Sequence, residues 1–158
     1  MKHYVFRYYI AIALVLLLAT VILAVLACDS VDWKLIVTII GAILSFVYFA
    51  QKQNLEELRL FKELFAEFNQ RYDRLNESLN RILLRDPEDE LTAGELDVLN
   101  DYFNLCGEEY LFFRKGYIYP EVWKAWLNGM KIFYHDERIR ELWLEELETD
   151  SYYGLRLE

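Results

Sequence analysis

Two adjacent carboxylates, Glu108 and Glu109, stand among aromatic and small apolar residues that include Tyr102, Cys106, Tyr110, Phe112 and Phe113. On a helix, such neighbours put at least one of the pair in a low-dielectric setting, where an ionised carboxylate needs a basic partner. Arg71, Arg74, Arg114 and Lys131 are the residues able to supply it, with Asp101 and Lys115 on or near the same helix. We therefore expect a buried ion pair drawn from Glu108, Glu109 and Arg114. A carboxylate of this kind can be catalytic, but a structural ion pair is the commoner case. Tyr117, Tyr119, Trp123, Trp126 and Trp143 offer a second chemistry, a pocket for stacking a base or holding a peptide, against the plainer role of filling a small core.

Other constellations are absent. Histidine occurs only at His3 and His135, which leaves little from which to build a histidine metal cluster or a Ser-His-Asp arrangement. His135, beside Asp136, reads as a turn residue. The glycines are scattered at 41, 94, 107, 116, 129 and 154, so no phosphate-cradling loop or nucleophile elbow appears. Cys28 and Cys106 are spaced neither as a metal pair nor as a disulfide framework. The expectation is a protein that is not an enzyme, with no catalytic residues, no metal and no cofactor.

The charge is placed unevenly along the 158 residues, whose net charge is −9. Gln51 to Arg85 is close to neutral, whereas Asp86 to Glu158 carries 7 basic and 18 acidic residues. A domain of that sign repels phosphates, which argues against nucleic acid as a partner and makes a basic or cationic one easier to accommodate.

The elements that must position these residues begin with two apolar runs. Tyr8 to Cys28 and Leu35 to Ala50 contain no charged residue, and a membrane core needs roughly 20 apolar residues per span, fewer where flanking residues snorkel. The reading is a two-helix transmembrane hairpin over residues 1–50, with spans at about 8–28 and 35–50 and the lipid bilayer as a partner. Lys2 and Arg7 precede the first span and Lys52, Arg59 and Lys62 follow the second, while the turn holds Asp29, Asp32 and Lys34. By the positive-inside rule both termini are cytoplasmic. A competing reading treats Val25-Leu26-Ala27-Cys28 as a lipoprotein processing site with Cys28 lipidated; the length of the apolar run and the second run after it argue against this. Thr20, Ala24 and Ala27 on one helix, and Gly41 and Ser45 on the other, are small residues that allow close helix packing, either within the hairpin or between copies.

Beyond the membrane the pattern is helical throughout. Leu58, Phe61, Phe65, Phe68, Tyr72, Leu75, Leu79 and Ile82 alternate by three and four residues, a heptad seam. It either packs inside one bundle or joins chains as a coiled coil. Asp86-Pro87 ends that helix, and Thr92-Ala93-Gly94-Glu95 has capping-box form. The helix it opens carries Leu96, Leu99, Phe103, Cys106, Tyr110 and Phe113, stops at Lys115-Gly116, and should pair antiparallel with the first. Pro120 opens a third helix with Val122, Trp123, Trp126, Leu127, Met130 and Phe133. Asp136 caps a last one with Ile139, Leu142, Trp143, Leu144 and Leu147. The fold class is all-α: the hairpin continues into a cytoplasmic four-helix bundle over residues 51–150, followed by a loose tail, 151–158.

From Leu99 to Tyr110, through Leu111-Phe112-Phe113-Arg114-Lys115-Gly116-Tyr117-Ile118 and on to Val122-Trp123 and Trp126-Leu127-Asn128-Gly129-Met130, the chain resembles a loose group of bacterial inner-membrane proteins. These carry one or two N-terminal membrane helices before an aromatic-rich cytoplasmic helical domain of unknown function. The resemblance implies a bacterial inner-membrane location and carries over no catalytic residue. The architecture is also similar to that of membrane effectors of antiphage systems. The expected function is a membrane-anchored interaction, adaptor or sensor module that binds a protein partner or a second copy of itself through its bundle. The alternative is an oligomerising effector that disrupts the membrane.

Overall fold

The computed structural model describes residues 9–27, 33–148 and 151–157. Their regular structure is entirely helical: α1 (Tyr9–Ala27), α2 (Trp33–Leu84), α3 (Ala93–Arg114), α4 (Pro120–Tyr134) and α5 (Glu137–Leu147), then a short turn at Tyr152–Gly154. Cys28 and His3 lie outside the described residues. The chain divides into two compact units, Met1–Arg59 and Leu60–Glu158.

In the first unit α1 is apolar on every side, so it has no amphipathic direction, and Val15, Leu16, Leu18 and Leu23 are exposed on it. The hydroxyl of Thr20 donates to the carbonyls of Leu16 and Leu17 at 2.9 and 2.8 Å, and that of Thr38 to Lys34 at 2.9 Å. These bonds to the preceding turn satisfy both hydroxyls within their own helices. Ala13 and Ala50 are buried. Thr20 is half-buried, Gly41 and Ser45 are exposed, and the side chain of Ala24 lies outside the described residues.

The helix α2 is 52 residues long because nothing breaks it: no glycine or proline occurs between Gly41 and Pro87. Among the described residues it is the one helix long and apolar enough to cross a membrane, with an 18-residue stretch of mean hydropathy 2.0 of which 6% is buried. Its character changes along its length. Leu58, the first residue of the heptad pattern, falls in the first unit and is exposed. In the second unit Phe68, Leu79 and Ile82 are buried, Phe61, Tyr72 and Leu75 are partly buried against the same core, and Phe65 remains exposed.

Those residues meet α3 and α4 of their own chain. Phe68 lies edge-on to Phe112 with ring centroids 5.7 Å apart, Arg71 pairs with Glu108, and Arg85 pairs with Glu95. Partner numbers on α3 fall as those on α2 rise, which is antiparallel packing. Thr92 caps α3: its backbone N–H donates to Glu95 Oε2 at 2.8 Å, and its hydroxyl accepts from the Glu95 N–H at 3.4 Å. Gly116, at φ +81°, supplies the left-handed residue that ends α3. From α4, Trp126 stacks on Phe65 at 6.0 Å and stands edge-on to Phe68 at 5.8 Å. Trp123 stacks on Phe113 at 5.0 Å. From α5, Trp143 meets Phe103 edge-on at 4.8 Å.

One side chain closes the C-terminal end of α2. The Arg138 guanidinium donates to the carbonyls of Ile82 (3.0 Å), Asp86 (3.1 Å) and Asp89 (3.4 Å), and pairs with Asp136 at 2.7 Å. Carbonyls at a helix end lack the regular intrahelical donor; this arginine on α5 adds a donor to Ile82 in the last turn of α2, beside the Arg85 N–H at 3.3 Å, and two more to the carbonyls of the turn that follows. Asp136, which also accepts from the Arg138 backbone N–H at 3.1 Å as the N-cap of α5, is held below the usual carboxylate range by that guanidinium.

The C-terminal residues are not loose. Tyr152, Leu155 and Leu157 are buried in the core. The Tyr152 ring stacks on Trp143 at 4.9 Å and 14°. Tyr152, Tyr153 and Gly154 all have positive φ, 61°, 56° and 82°, a conformation costly for the two tyrosines. The turn is held by the burial of Tyr152, by a hydrogen bond from its hydroxyl to Glu146 (3.2 Å), and by Arg114 donating to the Tyr153 carbonyl (3.0 Å). Sequence patterning alone missed this segment because it is too short to show a period.

Candidate functional site

The two adjacent glutamates of α3 have opposite surroundings. Glu108 takes a bidentate pair with Arg71 of α2, at 2.5 and 3.2 Å. Glu109, one position on, turns into the core and is 6% exposed. No hydrogen bond or ion pair to its carboxyl is present among the described residues, and the Arg71 guanidinium nearby is engaged by Glu108. Burial therefore pushes the Glu109 carboxyl up to about 8; Arg71 pulls it back in part and Glu108 adds to the rise. Arg114 is directed elsewhere: it lies over the Tyr110 ring at 5.7 Å and bonds to Tyr153. The partner of the glutamate pair is thus Arg71, and it serves only one of the two.

Glu109 lines a cavity of about 210 Å³ together with Asn69 and Tyr72 of α2, Tyr102 of α3, and Ala125, Trp126, Gly129 and Met130 of α4. Tyr102, Met130 and Glu109 are buried and form its depth, whereas Ala125 is exposed and Asn69 and Gly129 are half-buried towards its mouth. The rings of Tyr72 and Tyr102 are 6.4 Å apart. Both phenols are pushed up by burial, with the Cys106 thiol and the Glu109 carboxyl adding to the rise. Cys106, fully inside the core, has its own thiol raised well above the ordinary range by burial and by Glu109. A thiol in that state is a packing residue and not a nucleophile.

Helix geometry brings these groups together. Tyr102, Cys106 and Glu109 recur at four and three residues on α3, one face of a helix, and on α4 Gly129 and Met130 follow Trp126 by three and four residues, which also keeps them on one face. Gly129 sits inside α4, where glycine costs about 1 kcal/mol relative to alanine, yet a Cβ placed there meets no atom within 4 Å. The space is open, so close helix packing does not require this glycine.

Of the aromatic residues expected to form a pocket, only Trp126 reaches this cavity. Trp123 and Trp143 are buried in the core, Tyr117 is exposed, and Tyr119 lies against Phe61 at 4.3 Å. Tyr72 and Tyr102 take the other places. They were visible in the sequence as seam and helix residues, but their convergence on Glu109 depends on how α2, α3 and α4 pack. His135 ends α4 and is exposed. No family model matches the chain, and neither a curated protein nor a solved structure matches it.

Proposed function

We propose that the protein is a membrane-anchored, non-enzymatic interaction or sensor module of a bacterial inner membrane, anchored by two spans and acting through a cytoplasmic four-helix bundle. The observation that carries this reading is α2 itself. One uninterrupted helix has an apolar, unburied first half and a second half that contributes Phe68, Leu79 and Ile82 to an aromatic core. Exposed apolar surface as extensive as that of Leu35, Val37, Leu44, Phe46 and Phe49 disfavours an aqueous setting, and a bilayer removes that cost. The apolar, unburied side chains of α1 support a second span, and the basic residues flanking both runs support cytoplasmic termini.

The absence of any charge in either apolar run speaks for an anchor over an ion pathway. The seam from Phe61 to Ile82 is occupied by the chain's own helices, which favours a bundle that completes its core without a second copy. The test is extraction of native membranes at alkaline pH, followed by a measurement of membrane potential on overexpression. Retention in the membrane with an unchanged potential supports the anchored module. Release into the soluble fraction contradicts anchoring, and depolarisation that depends on Gly41 and Ser45 would favour a membrane-disrupting effector instead.

A further inference from the structure

Glu109 is a buried residue whose carboxyl faces a cavity and has no hydrogen bond or ion pair among the described residues. Buried carboxylates in folded proteins are paired or hydrogen-bonded, because an isolated one is costly to keep. Here Arg71, the cation whose charge acts on Glu109, is held by Glu108, and no lysine, arginine or histidine is among the residues that line the cavity. What Glu109 lacks is a positive charge, and the space to receive one lies directly against it.

The remaining walls narrow the chemistry. Tyr72, Tyr102 and Trp126 surround the space with aromatic rings, and aromatic faces attract cations, most strongly when water is excluded. No serine, threonine or cysteine lines the cavity, and the Cys106 thiol on the same face of α3 is held protonated by burial and by Glu109. At about 210 Å³ it is smaller than the roughly 300–1,000 Å³ of pockets for drug-sized ligands, and it therefore takes a head group. The open space over Gly129 keeps the mouth clear at a cost in helix propensity.

We propose that this cavity binds an alkylammonium group, its charge on the Glu109 carboxylate and its methyl or methylene groups against Tyr72, Tyr102 and Trp126. The assignment concerns the second unit alone and stands whether or not the chain is membrane-anchored. Binding costs one proton, which leaves Glu109 for the solvent as the cation arrives. The titratable and charged groups facing Glu109 are Arg71 and Tyr72 from α2, and Tyr102, Cys106 and Glu108 from its own helix. The cavity residues of α4 contribute none. Affinity for a permanently charged ligand thus rises with pH until the carboxyl is ionised.

The test uses the full chain in a maltoside detergent, which has no ammonium group of its own, with tetramethylammonium as probe and tryptophan fluorescence and calorimetry as readouts. Saturable binding is expected, at least tenfold tighter at pH 8 than at pH 6. Glu109→Gln should weaken it at least tenfold and remove the pH dependence. Gly129→Leu, which fills the mouth in a helix that favours leucine over glycine, should abolish it while circular dichroism shows the fold retained. Choline and a trimethyl-lysine peptide then identify the source of the group: tenfold tighter binding of the peptide assigns it to a protein side chain, and no such gain assigns it to a free small quaternary ammonium compound. Absence of saturable binding by the folded wild-type chain overturns the proposal, as does binding that both substitutions leave intact.

Discussion

Gly107 of α3 and Tyr152 of the C-terminal turn approach so closely that a Cβ on the glycine would stand 3.1 Å from both Cα and Cβ of the tyrosine. Tyr152 is itself clamped by its stack on Trp143, so it has little room to yield. Alanine at 107 gains about 1 kcal/mol of helix propensity but meets an overpacking cost of about 1–3 kcal/mol. Gly107→Ala should lower stability by about 1 kcal/mol, whereas Gly129→Ala, whose Cβ meets nothing, should raise it by up to about 1 kcal/mol. Chemical denaturation of the two variants, monitored by tryptophan fluorescence, distinguishes them by sign.

Ending the chain after Asp150 removes Tyr152, Leu155 and Leu157 from the core. Each buried side chain of this size contributes about 1.5–3 kcal/mol, offset by the ordering of the segment and by two tyrosines at positive φ. The net loss expected is about 2 kcal/mol, read as a lower denaturation midpoint. In the shortened chain Gly107→Ala should turn stabilising, because the clash has gone. A still destabilising Gly107→Ala would show that the glycine serves something other than Tyr152.

Stability should fall between about pH 5 and pH 8 on account of Glu109. Its carboxyl titrates at about 8 in the folded chain against an ordinary value of 4.5, so across that window the folded state holds a proton the unfolded state has released. By linkage the contribution is fully present below the unfolded value and lost as pH rises through the folded one. Glu95, lowered to about 2 chiefly by Arg85, and Asp136, lowered by Arg138, act with the opposite sign below about pH 4.5 and leave the window clear. Glu109→Gln should flatten the profile, matching wild type at pH 5 and exceeding it by a few kcal/mol at pH 8.5. Identical slopes for the two proteins would contradict the burial of an unpaired carboxyl.

Arg138 joins α5 to the end of α2, and its pair with Asp136 leaves the two side chains only 11% and 10% exposed. Removing one partner of a buried pair costs about 3–5 kcal/mol, and here the carbonyls of Ile82 and Asp86 also lose the guanidinium, though each keeps a backbone N–H, from Arg85 and Asp89 respectively. Arg138→Ala should cost about 3 kcal/mol. Hydrogen exchange should locate the damage at the C-terminal end of α2. Arg138→Lys, which keeps a charge without the planar fork, should recover less than half of that loss.

The helices were legible in the sequence where local signals fix them. The Thr92 capping box, the left-handed Gly116, Pro120 at a helix start and Asp136 at another each act within one turn of chain, and each stands where its chemistry requires. Of the three-four pattern from Leu58 to Ile82, Phe61, Phe68, Tyr72, Leu75, Leu79 and Ile82 pack on the core, whereas Leu58 and Phe65 stay exposed. Two features were not legible, for the same reason. The burial of Tyr152 and the isolation of Glu109 are set by contacts between distant segments. Gly107 and Gly129 were the traces they left, since glycine inside a helix asks what occupies or avoids the missing Cβ. Arg71 was among the four basic residues able to reach the glutamate pair, and only the register of α2 against α3 selects it.

The proposed function requires a chain that enters a bilayer and completes its aromatic core without a second copy. The most direct measurement is the native mass of the full-length protein after reconstitution into lipid nanodiscs. The account predicts that it enters the discs and is released as a single copy. Failure to enter the discs, or release as a defined assembly of several copies, would contradict it.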